Sequence, residues 1–207
     1  GSFTAVSRIM GFMRDIAFAA FLGAGGAADA FLVALKLPNM FRRLSAEGAM
    51  TNAFLPNYAA ILEEHGRAAA LRLAAEAQIF LIIGLSLLVI IAEIFMAELI
   101  LLLAPGFADT PERLRAAIDL ARITMPYLPL ISIVALWAAI ANAHDHFKAG
   151  AAAPIIANIC FIAGAVMIPF VASHLDSLRA MPIAIALVAA GFAQLIFLYR
   201  ALSRLDS

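Results

Sequence analysis

Four stretches of this chain, at roughly residues 77–103, 123–143, 151–171 and 181–199, are apolar over a length that crosses a bilayer. A spanning helix needs about 20 such residues. In hydrocarbon the backbone has no water to bond to, so only helices and closed barrels cross it. The four runs are continuous rather than alternating, which selects the helix. Composition agrees: 65% of the 207 residues are hydrophobic and 14% charged, and the mean hydropathy is +0.99. A soluble domain of this size needs more polar cover than that. Disordered, collagenous and disulfide-rich classes are excluded on the same grounds. The fold class predicted is an all-α integral membrane protein.

The first 60 residues differ. Segments 3–22 and 29–58 have helical apolar spacing but carry Arg8, Arg14, Asp15, Asp29, Lys36, Arg42, Arg43 and Glu47. Counting both gives six spans, at 3–22, 29–58, 77–103, 123–143, 151–171 and 181–199, in a single unit covering 1–207. The alternative is four spans behind an amphipathic arm. The runs at 16–22 and 30–37 favour six. Connections carry turn signals: Gly23, Gly25 and Gly26; Glu63 to Gly66; Pro105 to Glu112, with Thr110 as N-cap and Pro111 at N1; His144 to Gly150; and Ser173 to Arg179. No segment has the layout of a cleavable signal peptide. Six spans put both ends of the chain on one side. Arg67, Arg72, Lys148, Arg200 and Arg204 lie there, against Arg113, Arg115 and Arg179 opposite. That bias places both termini in the cytoplasm.

An ionisable group at bilayer depth costs about 2.5–3.5 kcal/mol on insertion scales, so it faces a partner or a wet cavity. Arg8 and Asp15 are seven residues apart, as are Asp29, Lys36 and Arg43, with Glu47 four further on. Helical projection therefore gives two charged stripes. They can line one cavity, pair with each other, or snorkel to headgroups. Arg8 and Arg14 bracket Gly11, where a helix can bend or unwind, and Pro38 removes the bond to the Ala34 carbonyl. Broken helices beside fixed charges are how transporters build midplane sites. Excess arginine there suits phosphate, because the guanidinium fork grips two oxygens together.

Other signals are weaker. Net charge is zero, with 14 basic and 14 acidic residues, so no basic field for nucleic acid exists. Cys160 is the one cysteine and sits in an apolar run, as packing. His144, Asp145 and His146 read as a polar loop rather than a metal site, and Glu93 as a helix-pairing group or a proton site. Pro126 and Pro129 kink the fourth span, and Trp137 and Tyr199 anchor or pack. No nucleophile–base set suggests an enzyme.

The run Ser7 to Asp15, then Gly23-Ala24-Gly25 with Ala28 to Phe31, resembles the opening signature of the MurJ (MviN) lipid II flippases. More specific is Lys36-Leu37-Pro38-Asn39-Met40-Phe41-Arg42-Arg43, continued by Ala46 to Ala49 and Ala53 to Pro56. Ala104 to Ala108 and Pro126-Tyr127 also look like the family, and the similarity covers essentially the whole chain. The resemblance implies the multidrug/oligosaccharidyl-lipid/polysaccharide exporter fold, two six-helix lobes around a central cavity, plus two further helices in this family. Residues 1–207 would be the N-terminal lobe. It implies that Arg8, Arg14 and Arg42 meet the pyrophosphate of lipid II (undecaprenyl-pyrophosphate-linked muropeptide). Asp29 maps onto the family's acidic partner and Glu47 onto a residue near a gate, with Gly11 as a hinge in the cavity wall. The activity implied is outward flipping of peptidoglycan precursor across the bacterial cytoplasmic (inner) membrane by alternating access, with no enzyme chemistry. The implied partners are lipid II, membrane lipids and the C-terminal lobe; no cofactor is expected in this lobe. A coupling ion (sodium or proton) or the membrane potential belongs to the full protein. Other readings are a non-transporting membrane module that binds lipid or a partner, and a related exporter of drugs or polyprenyl-linked glycans. The arginines favour pyrophosphate over a cationic drug.

Overall fold

The computed structural model describes residues 2–43, 53–144, 146–171 and 179–203. Among them there is no strand, and eight α-helices follow in order: α1 (Ser2–Ala17), α2 (Gly26–Arg42), α3 (Leu55–Ile94), α4 (Met96–Leu103), α5 (Pro111–Thr124), α6 (Tyr127–Ala143), α7 (Phe147–Val171) and α8 (Met181–Ser203). By length and composition, four helical segments can cross a membrane: Leu55–Ile94, Pro111–Ala143, Phe147–Val171 and Met181–Ser203.

Each boundary has a local cause. α1 winds on through a π-helical turn, Phe18–Leu22, and stops at Gly23, whose φ of 72° is open to glycine. α2 starts after Gly25 with Asp29 in its first turn, favourable beside the helix dipole. Pro38 is accommodated within α2, buried and with the helix continuing to Arg42. Gly66, at φ 77° and ψ 178°, breaks α3 into two helical pieces. Pro126, which lacks an N–H to continue the ladder, separates α5 from α6.

Several boundaries differ from those expected. Within the stretch 29–58, α2 runs to Arg42 and Leu55–Tyr58 belong to α3, while residues 44–52 lie outside those described. Residues 63–65 are helical up to the break at Gly66 instead of forming a loop. The fourth span begins well before residue 123, because α5 is amphipathic. Ala116, Ala117, Leu120, Ala121 and Thr124 recur on its buried side, while Arg113, Arg115, Asp119 and Arg122 stay exposed. Thr110 stands at the N-cap of α5, with Pro111 next, but its side chain makes no capping bond. Gly11 lies inside an unbroken α1, so the expected hinge is absent from this arrangement.

Small residues set the packing. α2 packs on α5, and Ala30 and Ala34 of the one and Ala117 and Ala121 of the other are fully buried, small residues that let two backbones approach closely. Gly164 of α7 faces Ala186 of α8, where an added Cβ would come within 2.6 Å of the alanine Cβ. The outer surface is apolar: Phe80 of α3 is 78% exposed, with Ile79, Ile83, Leu87, Ile90 and Ile94 exposed beside it. Such a continuous patch suits lipid and not water. Glu93 pairs with Arg122 at 3.7 Å, joining α3 to α5.

Two ends of the bundle can be distinguished. Tyr58 of α3 meets His144, just past α6, with 2.9 Å between the hydroxyl oxygen and Nε2. This end also holds the start of α7 and the close of α8, where Lys148 and Arg200 share a recess. At the other end, Gly26 packs under Arg113, and Arg179 lines the same recess as the Gly23–Gly26 turn.

Candidate functional site

A cavity of about 680 Å3 opens between α1, α2, α6, α7 and α8. Its charged lining is Arg14 and Asp15 of α1 and Arg42 of α2. Arg14 is held firmly. Its Nε and Nη2 donate to Asp15 Oδ1 at 3.0 and 2.8 Å, and Nη1 donates to Asn158 Oδ1 at 3.2 Å. Its guanidinium carbon lies 5.9 Å from the centre of the Phe161 ring, within cation–π range. Asn158 is buried on α7 and donates through Nδ2 to the Ser7 carbonyl at 3.4 Å. One amide thus ties α1 to α7 and orients the arginine.

Of five guanidinium N–H groups, Arg14 uses three in these bonds. The two left, one on each terminal nitrogen, can donate to the oxygens of an added anion such as phosphate. Arg42 reaches the same cavity half-buried near the end of α2, beside Asn39 and the buried Tyr127. Gln194 of α8 closes one side. It is 2% exposed and donates to the Ala153 carbonyl at 2.8 Å. Its Oε1 is buried without a partner among the described residues.

The other expected site residues lie elsewhere or outside the described set. Arg8 is exposed and does not line the cavity. Six residues separate it from Arg14, so the two point about 120° apart around α1. Asp29 pairs with Arg113 of α5 at 3.6 Å, at the opposite end of α2 from Arg42, instead of organising Lys36. Lys36 and Arg43 are exposed. Glu47 is outside the described residues, as is Asp145. No group of three or more His, Cys, Asp or Glu able to hold a metal occurs among the described residues.

Asn158 and Gln194 were missed as site residues. Their signal was present: each is the one amide in an apolar span. Trp137 also turns out to be bonded, donating from Nε1 to Gln78 Oε1 at 2.7 Å.

An apolar helical bundle with a lipid-suited exterior and a polar cavity that fixes arginine defines a multi-pass membrane protein of transporter type. The family model described as lipid II flippase MurJ matches residues 18–206, and the chain belongs to that family. A probable lipid II flippase MurJ of Rickettsia prowazekii is 35% identical over 98% of this chain and 39% of its own length. One from Rhizobium meliloti is 42% identical over 79% of this chain and 31% of its own length. A solved structure, lipid II flippase MurJ in an inward closed conformation, superposes with a TM-score of 0.68 at 28% identity. It aligns over 94% of this chain and 41% of that one. The chain therefore spans about a third to two fifths of the length of these relatives.

Proposed function

We propose that this chain is the N-terminal lobe of a lipid II flippase, which carries undecaprenyl-pyrophosphate-linked precursor outward across the bacterial inner membrane. The observation carrying this is the meeting of Arg14 and Arg42, from different helices, in one cavity. The diphosphate is the fixed anionic feature of such a lipid. Charge-assisted bonds to it are each worth about 1.5–3 kcal/mol net. Arg14, already braced by Asp15 and Asn158, offers its fork with little ordering cost. Arg42 supplies the second cation. The remaining lobe closes the other side of the cavity and supplies whatever couples the cycle to an ion or to the membrane potential. Arg8 contributes less than either cavity arginine in this arrangement.

The test uses the full-length parent protein, with lipid II binding followed by native mass spectrometry and function by complementation of flippase-depleted cells. Arg14→Ala and Arg42→Ala should each weaken binding about 10- to 100-fold, since about 1.4 kcal/mol is tenfold. Lysine at either position should restore only part, because the charge returns without the fork. Unchanged binding and growth in both alanine variants, at matched expression, overturns the reading.

A further inference from the structure

The seam between α7 and α8 carries two recesses on the side of α7 facing away from the arginine cavity. The first, about 450 Å3, lies where α7 begins and α8 ends. His146, Lys148 and Arg200 rim it, and Ala149, Phe197 and Ala201 form its floor. The charged groups of its lining are all cationic. Lys148 and Arg200 are exposed, and neither has an ion-pair partner among the described residues.

The second recess, about 550 Å3, is further along the seam and apolar, with Cys160, Gly164 and Met167 on one wall and Pro182 and Ala186 on the other. Helical register joins the two. Ala149, Cys160 and Met167 are eleven and eighteen residues apart, three and five turns, and fall within about 20° of one another. Phe197 and Ala186 of α8 are likewise eleven apart. Asn158, which marks the arginine cavity, is nine residues from both Ala149 and Met167 and so points about 180° away. The two recesses therefore follow one line along the outer face of the seam, a furrow in outline that is cationic at the helix ends and apolar below.

Its dimensions fit one kind of molecule. From Lys148 to Cys160 the rise is about 18 Å, close to the ~15 Å of a single leaflet's hydrocarbon. A phosphate at the rim would therefore leave an acyl chain lying down the furrow within one leaflet. Among the described residues the rim offers donors and positive charge and no carboxylate for an ammonium headgroup. We propose that the α7–α8 furrow binds an anionic glycerophospholipid of the bilayer, with Lys148 and Arg200 on its phosphate and an acyl chain against Phe197 and the apolar stretch. Basic pockets between helices at the membrane surface select such headgroups by charge.

The experiment takes the full-length parent protein in detergent and adds 1-palmitoyl-2-oleoyl-phosphatidylglycerol or the matching phosphatidylethanolamine, counting adducts by native mass spectrometry. The wild type should retain phosphatidylglycerol about fivefold or more over phosphatidylethanolamine. The double variant Lys148→Gln/Arg200→Gln should lose about tenfold in phosphatidylglycerol binding and leave phosphatidylethanolamine unchanged. Ala163→Phe, which fills the apolar stretch from an exposed position, should weaken both lipids and keep their ratio. Parity of the two lipids in the wild type, or undiminished phosphatidylglycerol binding in the double variant, overturns the proposal. So does displacement of the lipid by glycerol phosphate at equal concentration, which would make the site a phosphate site without a chain.

Discussion

Arg14 shows how a charge is kept in the interior of a membrane lobe and still left usable. Asp15 alone would tie it up as a local ion pair; Asn158, a neutral acceptor on another helix, fixes its direction without cancelling its charge. Asn158→Leu removes that acceptor and the donor to the Ser7 carbonyl together. Loss of satisfied buried polar contacts costs about 1–3 kcal/mol. Lipid II binding by the full-length protein should fall about tenfold in native mass spectrometry titration, with a lower melting temperature. Gln194→Leu is the contrasting change. It loses one bond to the Ala153 carbonyl but also removes the orphaned Oε1, so binding should change less than threefold. Equal effects of the two variants would contradict a special role for Asn158. The arginines of this site were legible in the sequence because charge in an apolar run is conspicuous. Asn158 was not, because an amide in a span reads equally well as helix glue until its partner is seen.

Glycine decides two elements, in different ways. At Gly164 the constraint is space, with the Ala186 Cβ and the Pro182 carbonyl within 2.6 and 2.9 Å of an added methyl. Gly164→Ala should push α7 from α8 and cost about 1–3 kcal/mol, as overpacking does. Gly84→Ala, with nothing within 4 Å, should be neutral or stabilising by up to about 1 kcal/mol. Thermal melting of the two variants side by side checks the contrast. At Gly66 the constraint is conformation, φ 77° with open space around it. Strain there costs a side chain about 1–3 kcal/mol, which Gly66→Ala escapes by straightening α3. Spin labels at positions 59 and 79 should then move apart towards the ~30 Å of a straight twenty-residue rise, read by electron–electron double resonance. An unchanged distance would mean that tertiary contacts, and not the glycine, hold the bend. The four apolar helices were legible because length and hydropathy suffice for them. α5 was legible only at its start, from Thr110 and Pro111: its charged face lowers its hydropathy, so its length and its alanine face show once it packs on α2. The break at Gly66 fell inside the expected connection, but the helical stretch before it was hidden, since Glu63, Glu64 and His65 look like a loop and sit on an exposed helical face.

For the whole molecule, the arrangement of the two ends turns a weak count of charges into a directional claim. Arg67, Lys148 and Arg200 belong with the end where Tyr58 meets His144, and Arg113 and Arg179 with the end where α2 starts. Arginine and lysine resist translocation, so the richer end is the one expected in the cytoplasm. The expected orientation puts position 65 inside and position 109, in the short turn Pro105–Asp109, outside. Single cysteines at these two exposed positions, His65→Cys and Asp109→Cys in a Cys160→Ala background of the full-length protein, test it directly. An impermeant maleimide added to intact cells should label position 109 and leave 65 unlabelled until the cells are opened. The reverse pattern would invert the lobe. The cationic rim of Lys148 and Arg200 would then face the outer leaflet and the Asp29–Arg113 pair the cytoplasm. Arg42 lies towards the end that the charge count assigns to the cytoplasm, where a cytoplasmic precursor would first meet the cavity. Under the proposed function, the labelling result therefore decides whether Arg42 would meet the diphosphate on loading or on release.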